Sequence, residues 1–334
     1  MSYKKVEDIY WDKVLEQSNQ VVLLTKKWSD EDLLYPYSDL DLRIITQDNI
    51  DFFELNEKLY KAHCNTVMEV EDGERILEHP AGFMYKVSEC VGNEVYKIDF
   101  VKTSFVNGDE DLFIRAKSSL DPKEIDKGWL ESFYNKRYKR FTMKYEYKYK
   151  DQAKNKIFEK YCIVWHYYIP CVYALQCMVS GINFTNKIDR DWYSPEFQKK
   201  IEDFKHGIVP KEEPEELIRE VDAELGKLVQ KYSINWHIKD SKVGYEAKYM
   251  LRTRISRLLF YLYPVNSIDT MYLQQRECGE LNSIFQFYKE NTAGKIWDSF
   301  LLILNDDCSV SKKLGNVLTF WERNREEMEY IMQR

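Results

Sequence analysis

The chain opens with apolar residues at helical spacing. Val6, Ile9, Tyr10 and Val14 recur among charged neighbours between Val6 and Ser18, which predicts an amphipathic helix. The apolar run Val21–Leu24 predicts a buried strand. From Tyr35 to Ile45 the period drops to two. Leu40, Leu42 and Ile44 share one face and Asp39, Asp41 and Arg43 the other, as on a half-buried strand. Helical spacing returns from Asp51 to Ala62 through Phe52, Leu55 and Leu59. Val67–Val70 predicts a further strand. Phe83–Cys90 and Glu94–Val101 predict two more, joined by a turn at Gly92-Asn93.

After Asp121-Pro122 the pattern becomes helical almost throughout. Segments rich in Tyr, Trp, Leu and Ile run over Lys154–Val179, Glu215–Lys231, Tyr245–Tyr263, Cys278–Asn291, Ala293–Leu304 and Ser311–Met332. Pro170 lies inside the first, so that segment is expected to be kinked or split in two. The mostly acidic run Lys211–Glu216 is expected to be a solvated loop feeding a helix. The expected class is α+β: a sheet with flanking helices over residues 1–120, then a mainly helical domain over residues 121–334. Such a length suffices for two cores.

Composition narrows the partners. A net charge of −7 argues against general adhesion to DNA or to anionic membranes. The seven cysteines are scattered, odd in number and without a C-x-x-C pair, which points to a reducing, cytoplasmic setting. The charged N-terminus has no apolar core of a signal peptide, and no apolar run approaches the ~20 residues needed to cross a bilayer.

Candidate chemistry centres on Pro36-Tyr-Ser-Asp-Leu-Asp-Leu42. On a strand, Asp39 and Asp41 project from the same face, and two adjacent carboxylates repel unless a cation lies between them. Mg²⁺, shared with triphosphate oxygens, is the usual resolution. Asp99, between Ile98 and Phe100, would supply a third carboxylate from a neighbouring strand.

Ser38-Asp39-Leu40-Asp41-Leu42 followed by Lys97-Ile98-Asp99-Phe100 resembles the Asp-x-Asp and third-Asp elements of the polymerase-β-like nucleotidyltransferases. The spacing is most similar to that of the aminoglycoside adenylyltransferases, in particular the streptomycin 6-adenylyltransferase branch. The motif resemblance covers residues 20–105. It implies a nucleotidyltransferase-type mixed sheet with a C-terminal helical substrate-binding domain. It also implies Mg²⁺-dependent transfer of AMP from ATP to a hydroxyl of a small polar acceptor such as an aminoglycoside, an antibiotic-resistance activity. Asp39, Asp41 and Asp99 would hold metal, while Lys27, Ser29 and Ser38 would face the nucleotide. An acidic residue of the helical domain would serve as general base, and Glu159 is the candidate. Where the family has Gly-Ser, this chain has Trp28-Ser29, which places a bulky side chain where the backbone would approach phosphates.

Two alternatives accompany this reading. One is a nucleotidyltransferase toxin acting on tRNA or protein, favoured by the interleaved basic and aromatic residues of Tyr134–Lys156. The other is a nucleotidyltransferase-like binding module without turnover, favoured by Trp28. His166 reads as a packed histidine rather than a base. Arg252, Arg254 and Arg257 lie on one predicted helix and either bridge to surface carboxylates or reach the cleft.

Overall fold

The computed structural model describes residues 2–27, 39–77, 80–92, 95, 100, 103–120, 157–180 and 188–234, with single positions between 253 and 324. Helix α1 (Tyr3–Gln17) buries Tyr3, Val6, Tyr10 and Val14 on one face. It ends at Ser18, whose extended backbone leads into strand β1 (Val21–Lys27). Strand β2 (Leu42–Thr46) pairs antiparallel with β1, setting Val21 opposite Thr46 and Lys26 opposite Leu42.

Helix α2 (Phe52–Glu69) and the short α3 (Gly73–Ile76) lead to β3 (Gly82–Lys86), which runs parallel to β2. A helical crossover is what a parallel pair requires. Helix α4 (Val87–Val91) follows, then β4 (Thr103–Gly108), antiparallel to β1, and α5 (Glu110–Ser118). The result is a four-stranded mixed sheet in the order β3-β2-β1-β4. All five residues of β2 are buried, so both of its faces are covered.

Two glycines make this packing possible. Gly108 has φ +102, and a Cβ there would lie 2.4 Å from the Val22 carbonyl. Asp109, next to it, caps α5 by accepting from the Leu112 N–H at 2.8 Å. At Gly73 a Cβ would lie 2.5 Å from the Val67 carbonyl, so the glycine lets α3 start against the end of α2.

Three strand expectations are corrected. Val67–Glu69 form the last turn of α2 instead, and Val70 follows directly after it. Leu55, Leu59, Ala62, Thr66 and Val70 continue one buried stripe at helical spacing, which outweighs the local preference of valine for strands. The strand expected over Phe83–Cys90 stops at Lys86 and becomes α4. Glu89 accepts from the Lys86 N–H and Asp48 from the Ser88 N–H, both at 2.9 Å, so the helix start is capped by side chains. Phe100, placed at the end of another expected strand, is helical; the strand that completes the sheet is β4.

Farther along, helix α6 (Ile157–Ser180) runs as one helix with Pro170 inside it. A 3₁₀ turn (Arg190–Trp192), helix α7 (Pro195–Lys205) and helix α8 (Pro214–Lys231) follow. Ser194 caps α7, and Pro195 and Pro214 occupy first-turn positions that need no N–H donor. Trp165, Tyr168, Phe197, Phe204, Leu217 and Val221 belong to a second apolar core. Tyr167 donates to Asp222 at 3.0 Å, joining α6 to α8. Burial works against the Lys200 ammonium, but hydrogen bonds to Glu220, Glu212 and Glu196 outweigh it and raise its pKa.

The first core, from Tyr3 to Leu120, also receives residues from the far end of the chain. Ile303 and Phe320 pack against it. Thr253, Ser256, Arg257 and Phe260 are helical and buried, at the spacing of one helix face. Ser256 donates to Asn56, and Phe260 meets Tyr60 and His63 edge-on with ring centroids 5.3 and 4.6 Å apart. Among the described residues no helix is long and apolar enough to cross a membrane.

Candidate functional site

The segment carrying Asp39 and Asp41 is held from both sides. The Leu40 N–H donates to the Ile76 carbonyl of α3 at 2.7 Å, and the Asp41 carbonyl accepts from the Lys27 N–H of β1 at 3.0 Å. Between them the Leu42 N–H donates to the Leu40 carbonyl at 3.1 Å, a tight three-residue turn centred on Asp41. Strand β2 therefore begins at Leu42, and the two aspartates precede it rather than lying within it. Leu40 and Leu42 are buried, while Asp39 and Asp41 remain partly exposed on either side of Leu40.

Among the described residues three cations converge on Asp41. Lys27 Nζ lies 3.9 Å from Oδ2, and Arg43 Nη1 and Arg257 Nη2 lie 3.7 and 3.6 Å from Oδ1. All three distances exceed hydrogen-bond length, so these are charge contacts rather than a closed bidentate lock. The three side chains keep under a tenth of their surface, against a quarter for Asp41. Arg43 is further anchored by donating to the Leu42 carbonyl at 3.0 Å. The neighbouring Lys26 faces away from this group and pairs with Glu7 of α1 at 2.6 Å, with both side chains buried. Of the two lysines that end β1, Lys27 reaches the aspartate segment and Lys26 reaches α1, as alternation along a strand requires.

Oxygen donors on two aspartates one residue apart suit a hard divalent cation such as Mg²⁺, and the partial exposure of both leaves room for approach. Among the described residues no group of three or more His, Cys, Asp or Glu gathers to hold a metal. Asp99, the expected third carboxylate, lies outside the described residues, as do Ser29, Ser38 and Trp28. The backbone of Glu159 lies in α6; its side chain, like that of His166, is outside the described set. Lys117 Nζ of α5 donates to the Phe100 carbonyl at 3.1 Å. Burial pulls this lysine's pKa down to about 8.

Sequence pattern alone did not single out Arg43 as a site residue, although it shares the polar face of Asp41. Arg257 was one of three arginines with two possible destinations, and the fold takes it to Asp41. The chain matches no protein-family model, no curated protein and no solved structure.

Proposed function

We propose that this chain is a Mg²⁺-dependent nucleotidyltransferase that transfers AMP from ATP to a hydroxyl of a small polar acceptor of the aminoglycoside kind. The observation that carries the reading is the pairing of opposites at the start of β2. Two carboxylates suited to metal stand beside three cations suited to phosphate, Lys27, Arg43 and Arg257. Phosphoryl chemistry needs little more from a protein than positioning and charge. Mg²⁺ held by Asp39, Asp41 and Asp99 would neutralise the triphosphate and stabilise charge on the attacking and leaving oxygens. The chain's own cations would orient the phosphate oxygens, and Glu159 would take the acceptor's proton.

Calorimetry of ATP with and without Mg²⁺, on wild type and on the Asp39→Asn/Asp41→Asn double variant, tests the reading. Metal-dependent binding that the double variant loses, followed by AMP transfer onto one of a panel of hydroxylated acceptors, is the expected result. Absence of binding by any nucleoside triphosphate would sink it. A second reading, a nucleotide-binding module without turnover, is favoured by three cations crowding one carboxylate. Equal ATP binding with and without Mg²⁺ would select that module.

A further inference from the structure

Of the three cations on Asp41, Lys27 and Arg43 belong to the paired strands β1 and β2, whereas Arg257 comes from a distant part of the chain. Its neighbours lock a helical turn onto α2. Ser256 donates to Asn56 across a separation of 200 residues, and Phe260 packs between Tyr60 and His63. The base of the arginine is thereby fixed, while its guanidinium tip lies 3.6 Å from Asp41 Oδ1, in charge contact but short of a hydrogen bond.

A carboxylate oriented toward a guanidinium and a carboxylate oriented toward a metal ion are competing states of the same oxygens. The planar fork of a guanidinium matches phosphate oxygens as well as it matches a carboxylate. We propose that Arg257 is an exchange residue. It balances Asp41 while the site holds no nucleotide, and it turns to the phosphate oxygens of a nucleoside triphosphate when Asp41 is committed to metal. This rests on the nucleotidyltransferase reading and deepens it by assigning a nucleotide-responsive contact to the C-terminal part of the chain.

The proposal requires effects of opposite sign. In Arg257→Gln one of the cations that compete with metal for Asp41 is gone while Lys27 and Arg43 remain, so Mn²⁺ alone, titrated as a paramagnetic probe, binds about threefold more tightly. ATP in the presence of Mg²⁺ binds about tenfold more weakly, the size expected for one charge-assisted contact. A purely structural arginine would weaken both. Ser256→Ala disturbs the docking without changing charge and leaves the ratio of the two affinities unchanged. If Arg257→Gln does not fold, Arg257→Lys carries the test. Its point charge still competes with Mn²⁺ but lacks the fork, so ATP affinity alone falls. Unchanged ATP affinity in the folded Arg257 variants, or parallel loss of Mn²⁺ and ATP binding, overturns the exchange role and leaves the nucleotidyltransferase reading standing. Failure of wild type to bind any nucleoside triphosphate overturns both.

Discussion

Lys117 illustrates how burial changes what a single side chain can do. In the sequence nothing marks it out from the other lysines; in the fold its ammonium is turned inward onto the Phe100 carbonyl, and its pKa is pulled down to about 8 from 10.5. The sign of the linked stability follows. Between pH 8 and 10.5 the unfolded chain holds a proton that the folded chain has released, so this group makes stability rise with pH across that window. Urea midpoints at pH 7, 8.5 and 10 should show that rise in wild type, and Lys117→Met should flatten it. A slope unchanged by the substitution would mean that the ammonium is solvated. Asp39 and Asp41 stood out in the sequence by their spacing, although a turn centred on Asp41, and not a strand, carries them. The cations that balance Asp41 stood out less, since a lone arginine carries no mark of where its long side chain ends.

Among the elements, α4 shows local capping prevailing over a strand-like apolar pattern. Asp48, in the loop after β2, accepts from the Ser88 N–H. Hydrogen bonds from the Ser88 side chain and backbone hold its carboxyl below the usual aspartate range. A depressed carboxylate contributes stability that is present above its unfolded pKa of 3.8 and lost as pH falls through the folded value. Asp48→Asn keeps an amide acceptor but removes the charge, so it should cost about 0.3–1 kcal/mol at pH 7, the worth of a negative charge at a helix N-terminus, and the difference from wild type should vanish below the folded pKa. Chemical denaturation over a series of pH values descending from 7 compares the two; a difference that does not shrink as pH falls would assign the loss to packing. The misread Val67–Val70 teaches the same lesson from the other side. Its residues suit a strand locally, but the buried stripe of α2 runs straight through them.

For the molecule as a whole, the decisive contact joins parts of the chain about 200 residues apart. Phe260 lies on α2 between Tyr60 and His63, and burial drives the His63 pKa down to about 3, so that imidazole stays neutral against the aromatic ring. Phe260→Ala should cost about 3 kcal/mol, as removal of a buried phenylalanine does. Equilibrium unfolding in urea would measure it, and a loss under ~1 kcal/mol would mean that this turn is not part of the cooperative first core. The sequence by itself determined the helices α1, α6 and α8, the strand β1 and the part of β2 from Leu42 to Ile45, because periodicity is a short-range property written in neighbouring residues. Only the tertiary structure decided that Asp41 sits in a turn pinned by α3, that α4 is a helix, and that Arg257 returns to the start of β2. Each of these depends on partners far away in the chain, Ile76, Asp48 and Asn56, and no local pattern encodes which distant surface a segment will meet.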